Sequence, residues 1–166
     1  MALNLVSMTN LPKNTHVKDV LLLARLACSE AGYSKKESRR VLRVVYNRSK
    51  RRKTSVIDEA KRPYQFYYKN CTGDREKWLR WYHFEVAIEA LRGTIKAEAV
   101  INSRTVTHFG TTKRLNRPHK RCPGYTIREV WEYYGLRKVF TSEVGHEFYS
   151  KTRGKSGCPP KENNAG

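Results

Sequence analysis

The chain has 166 residues, 39% of them apolar, which is enough for one domain with a buried core. Its 34 Lys and Arg against 15 Asp and Glu give a net charge of +19, which calls for a polyanionic partner: nucleic acid, or the phosphorylated polymers and lipids of a bacterial envelope. No run is long enough to span a membrane, residues 1–14 lack the pattern of a secretion signal, and Cys28, Cys71, Cys122 and Cys158 form no C-x-x-C pair, which argues against a zinc ribbon.

Taken in order, residues 1–15 form a polar N-terminal segment, 16–151 the folded domain and 152–166 a flexible tail of disordered composition. The first helix is predicted to begin near Thr15 or His16. Val17, Leu21, Ala24, Cys28 and Ala31 recur at three-and-four spacing as one buried stripe, and Gly32 ends it. Glu30 lies beside this stripe with Leu26 and Ala27 one turn back, so its carboxylate leaves the helix over apolar surface. Desolvation and the negative end of the helix dipole both act to raise its pKa, and a glutamate protonated near neutral pH serves as a general acid. The plainer alternative is a helix-end glutamate paired with an arginine. Ser34 and Glu37 have capping-box spacing and open a second helix, whose apolar stripe is Val41, Val44 and Val45. It runs into a basic stretch, 49–55, that reads as a solvated loop or helix end. Cys28 reads as a small apolar filler. His119 and Cys122 have the spacing of half a metal site without a second pair, so neither metal nor cofactor is expected. The thiols are expected to be reduced at synthesis and able to pair after release into an oxidising compartment.

Residues 56–71 bring Tyr64, Gln65, Phe66, Tyr67 and Tyr68 into succession after Pro63; they either plug the core or line a groove where sugar rings stack on aromatic faces. A third helix is predicted from about 74 to 92, with Trp78 and Trp81 in the core and Gly93 as its stop. Extended pieces follow at 99–101 and 104–109, then a basic loop over 110–124. Thr126 caps a short helix through Glu129, and the last ordered element covers 141–151 with Phe148 and Tyr149 as anchors. No acidic residue lies between Glu98 and Glu129.

Five stretches in this order resemble the spore-cortex-lytic (SleB-like) family of bacterial and phage cell-wall hydrolases. They are ARLACSEAGYSKKESRRVLRVVYNRS with Glu30, Asn47 and Arg48; RPYQFYY with Gln65 and Phe66; AIEALRG ending in Gly93; TVTHFGTT with Thr107, His108 and Phe109; and VGHEFYS with Gly145, His146, Phe148 and Tyr149. The resemblance spans about residues 22–150. It implies an α+β, mainly helical, lysozyme-like fold with a small antiparallel β-sheet beside the groove. It also implies cleavage of the glycan strand between N-acetylmuramic acid and N-acetylglucosamine.

By that resemblance Glu30 protonates the glycosidic oxygen and then acts as base. In a lytic transglycosylase the base step takes the proton of the muramic acid 6-hydroxyl, giving a 1,6-anhydro product, so one carboxylate suffices; a hydrolase normally needs a second. The strand facing the catalytic helix in that family corresponds to the acid-free stretch, which favours the transglycosylase. The resemblance places Gln65, Phe66, Tyr67, Thr107, His108, Phe109, His146 and Tyr149 at the substrate, with His108 and His146 as hydrogen-bond donors around the cleaved bond or, alternatively, as structural histidines. Family members usually carry a signal peptide and often a separate wall-binding domain, and neither is seen. These features lead to the expectation of a monomeric phage lysis enzyme that waits in the host cytoplasm and acts on peptidoglycan, with anionic envelope polymers or outer-membrane lipids as secondary partners and no specific nucleic acid. The competing reading is a basic nucleic-acid-binding protein using the runs 48–53 and 113–121.

Overall fold

Val20, Leu23, Ala24 and Ala27 recur every three or four residues. That stripe closes the first helix, α1 (Val17–Ala31), onto its neighbours with essentially no exposure of these side chains. The structure, a computed structural model, describes residues 11–63, 66 and 71–160. Contacts divide the chain into two units, Met1–Arg104 and Thr105–Gly166, and the architecture is α+β.

In the first unit α1 packs on α2 (Lys35–Arg52) and α4 (Trp81–Arg92), and α2 also packs on α4, α3 (Val56–Ala60) and α5 (Ala99–Asn102). Val41, Leu42, Val44 and Val45 of α2 and Val86, Ala87 and Ala90 of α4 complete the core. Ser34 caps α2, its hydroxyl accepting from the Glu37 N–H at 3.1 Å. The Glu37 carboxylate binds Arg40 at 2.8 Å, and both side chains are buried. Arg40 also binds Glu98, so its enclosed charge is met from two sides. A second buried carboxylate, Glu59, is ringed by Arg48 and Arg52, each at 2.8 Å, and Arg62 at 3.0 Å. Asn47 is buried and donates to the carbonyls of Ile101 (2.9 Å) and Ser103 (3.0 Å), which fastens the segment after α5 to α2.

The second unit holds β1 (Val106–Thr111), α6 (Thr112–Leu115), α7 (Ile127–Tyr133), β2 (Leu136–Thr141) and β3 (His146–Lys151). The strands form an antiparallel sheet in the order β1-β3-β2. Thr126 and Glu129 form the capping box that opens α7, with the Thr126 N–H donating to the Glu129 carboxylate at 2.6 Å and the Glu129 N–H to the Thr126 hydroxyl at 3.2 Å.

Several expectations need correction. The third helix is broken: a 3-10 turn covers Gly73–Trp78, Leu79 is extended, and α4 starts only at Trp81. The cause is local, because the Arg80 N–H donates to His83 Nδ1 at 2.9 Å and so begins a new helix. Residues 99–101 are helical rather than extended, α6 lies within the predicted loop, and β2 was not foreseen. Cys28 is buried as expected but is no free thiol: it is joined to Cys71, and Cys122 is joined to Cys158. The sulfur of Cys122 is therefore unavailable as a metal ligand.

Residues 152–160, assigned to a flexible tail, are pinned. The Thr152 hydroxyl donates to Gly135 O at 2.7 Å, Lys155 N–H to Tyr133 O at 3.1 Å and the Tyr125 hydroxyl to Pro160 O at 2.7 Å. The approach requires glycine on both sides. A Cβ on Gly135 would lie 2.5 Å from Arg153 O, and one on Gly154 would lie 2.0 Å from the Tyr134 carbonyl.

Candidate active site

Glu30 occupies the last turn of α1, two residues before Gly32, and is half-buried. That turn carries no basic residue. The helix end is fixed by α4, since His83, fully buried, places Nε2 2.8 Å from the carbonyl oxygen of Gly32. Because Nδ1 of His83 accepts from Arg80 N–H, Nε2 is the protonated nitrogen and donates to Gly32. Burial holds the imidazole below its ordinary pKa, so it is neutral at pH 7. The Cys28–Cys71 bridge ties the same turn of α1 to the residue two positions before the 3-10 turn, and Arg25 binds Glu76 on that turn.

The structure exposes the two tryptophans that the sequence placed in the core: Trp81 is 55% exposed and Trp78 is also open to solvent, as is Tyr33, directly after Gly32, at 62%. Lys35 Nζ lies 4.6 Å from the Trp81 ring centre, and the guanidiniums of Arg80 and Arg75 lie 5.4 Å and 5.6 Å from the rings of Tyr33 and Trp78. Cations thus hold large rings in place at the surface. Sequence reasoning missed them because apolar periodicity treats tryptophan as core. The available signal was the charge interleaved with the rings in GDREKWLRW.

Of the Gln-Phe loop, Gln65 and Tyr67 lie outside the described residues. Phe66 has the Arg48 guanidinium 5.0 Å from its ring centre.

The residues predicted from the second unit fall on both faces of the sheet. Phe109 is opposite Phe148 and Thr111 opposite His146, and the rings of Phe109, His146, Phe148 and Phe140 pack on one face, with centroids 5.8 to 6.4 Å apart. His108 pairs with Tyr149 on the other face, where Trp131 of α7 meets His108 and Tyr149 edge-on, each at 5.4 Å. The two histidines expected to flank one bond are therefore on opposite sides of the sheet. The register shift between Val106 and His108 leaves Thr107 at an irregularity of the strand, buried, its hydroxyl oxygen 2.9 Å from His108 Nδ1.

Tyr149 has a role other than substrate contact. It is fully buried with Leu115 and Leu136, and its hydroxyl donates to Glu147 at 2.7 Å while accepting from Arg128 at 2.9 Å. Glu147 also binds Arg128 in a two-pronged pair and accepts from Thr112 at 2.8 Å. Burial acts to raise the Glu147 pKa, but the hydrogen bonds from Arg128, Tyr149 and Thr112 outweigh it and bring the carboxyl down to about 2. Burial and the same carboxylate push the Tyr149 phenol well above its ordinary range. This carboxylate is a charged internal anchor, not a proton donor. The basic run 48–53 is likewise partly internal, with Arg48 and Arg52 bound to Glu59.

No protein-family model, curated protein or solved structure matches the chain.

Proposed function

We propose that the protein is a peptidoglycan glycosidase of lysozyme-like fold that cleaves between N-acetylmuramic acid and N-acetylglucosamine, with Glu30 as proton donor and then base. The observation that carries this reading is the α1 corner: a half-buried glutamate in the last turn of a helix whose end is fixed by His83 and the Cys28–Cys71 bridge, with exposed rings on Tyr33, which follows that end, and on Trp81, which opens α4. Such rings offer stacking faces to pyranose sugars. Within the second unit, Phe109 and His146 share one face of the sheet and His108, packed on Trp131, lies on the other.

A single acid–base residue suits lytic transglycosylase chemistry. Glu30 gives its proton to the leaving oxygen, then takes the proton of the muramic acid 6-hydroxyl as that oxygen closes on C1, so the ring bond formed replaces the glycosidic bond broken. Five other carboxylates are paired with arginines: Glu147 with Arg128, Glu37 and Glu98 with Arg40, Glu59 with its three arginines and Glu89 with Arg39. The two disulfides suit work in an oxidising compartment such as the periplasm, in line with a lysis enzyme that meets peptidoglycan outside the inner membrane.

The test is mass spectrometry of muropeptides released from purified sacculi. Anhydro-muropeptides from the wild type and none from Glu30→Gln, with wall binding retained, support the proposal. Release of reducing-end muramic acid alone would replace the transglycosylase by a hydrolase, and glycan cleavage by Glu30→Gln would remove Glu30 from the role.

A further inference from the structure

A cleft of about 640 Å³ opens in the first unit at the end of α1 away from Glu30. Thirteen residues at 1.5 Å rise separate Val17 from Glu30, so the two ends lie about 20 Å apart along the helix. Lys13, Lys18, Lys50, Lys61 and Arg92 all contribute to its wall. Against them stands one carboxylate, Asp19, which is 9% exposed and accepts from the backbone N–H of His16 at 3.2 Å. Among the described residues, no carboxylate lies within ion-pair distance of Lys13, Lys18, Lys50 or Lys61. Four like charges converging on one concavity repel one another unless an anion enters.

The remaining wall narrows the class of anion. The cleft is several times the volume of one phosphate ion and lies in the range of small-molecule sites. Its uncharged lining includes Asn14, Thr15, Thr54 and Ser55, groups that donate to and accept from hydroxyls. Tyr46 also lines the cleft, its ring already met by Arg43 and Lys50, each 5.1 Å from the ring centre. Lysine predominates over arginine in the wall, and lysine binds a phosphate as a compact point charge.

We propose that this cleft binds a phosphorylated sugar, the lysines taking the phosphate and Asn14 and Thr15 taking the sugar. The site is independent of Glu30 and of the glycosidase reading.

Binding of glucose 6-phosphate, glucose and inorganic phosphate to the full chain, followed by calorimetry at fixed ionic strength, tests it. Glucose 6-phosphate is expected to bind at least about tenfold more tightly than either glucose or phosphate, since each lost charged contact is worth roughly a factor of ten. Lys50→Glu and Lys61→Glu are each expected to weaken it by about tenfold or more, with thermal melts showing that both variants stay folded. Lys120→Glu, exposed and outside the cleft, makes the same charge change and is expected to leave binding unaltered. Equal loss in Lys120→Glu reduces the effect to net charge and overturns the proposal. Equal affinity for phosphate and glucose 6-phosphate removes the sugar and overturns it as well. If lipid vesicles bearing a phosphorylated sugar headgroup compete with glucose 6-phosphate in the wild type and not in Lys50→Glu, the source is a lipid headgroup. Absence of competition assigns the site to soluble sugar phosphates.

Discussion

His83 Nε2 stands 2.8 Å from the carbonyl oxygen of Gly32, and through that bond the first turn of α4 fixes the end of the helix that carries Glu30. The same ring accepts the Arg80 N–H on its other nitrogen. One buried neutral imidazole thus breaks the long predicted helix, starts α4 and sets the α1–α2 corner.

Stability should therefore depend on pH near neutrality. The folded pKa of His83 lies below its usual 6.5, so the unfolded chain binds more protons, and the stabilisation present above pH 6.5 is lost as pH falls toward the folded value. Thermal melts between pH 7.5 and 5 should show a falling midpoint for the wild type and a flatter profile for His83→Asn. Identical profiles would mean that His83 does not titrate with folding.

At lower pH a second group takes over. Glu147, held at about 2 by Arg128, Tyr149 and Thr112 against the opposing effect of burial, contributes stability that is complete above the unfolded value of 4.5 and is lost between 4.5 and 2. Glu147→Gln leaves Arg128 without its counter-charge and should cost about 1–3 kcal/mol at pH 7. Its acid sensitivity below pH 4.5 should shrink in parallel, as read by denaturant unfolding at pH 7, 4 and 3.

The Cys28–Cys71 bridge closes a separation of 43 residues and joins the last turn of α1, which carries Glu30, to the residue two positions before the 3-10 turn. Cys71→Ser should lower stability by about 2–4 kcal/mol. If the bridge also holds the corner, glycan cleavage at a temperature where the variant remains folded should fall as well. Full activity in the folded variant would confine the bridge to stability.

Trp81, 55% exposed and held by Lys35, offers a direct test of the aromatic rim. Trp81→Ala should raise KM for glycan strands about tenfold with little change in kcat, because a stacking contact present in both bound substrate and transition state is lost. Trp81→Phe should recover most of the affinity. A drop in kcat with unchanged KM would place Trp81 elsewhere in the mechanism.

Much of the fold was legible in local chemistry. The apolar spacing of α1 and its Gly32 stop, the Ser34 cap of α2, the Thr126–Glu129 box of α7 and most of the extended run read at 104–109, which overlaps β1, are encoded within a few residues of where they act. Other features depend on partners distant in the chain. The hold of α4 on the end of α1 rests on a histidine fitting against Gly32, 51 residues away; the pinned 152–160 segment rests on two glycines passing at close range; the disulfides rest on which cysteines meet. Periodicity says that a ring or histidine belongs to an element, not which side of that element is covered. Hence only the folded sheet could separate His108 from His146, and only the packed first unit could leave Trp81 and Tyr33 at the surface while enclosing Arg40.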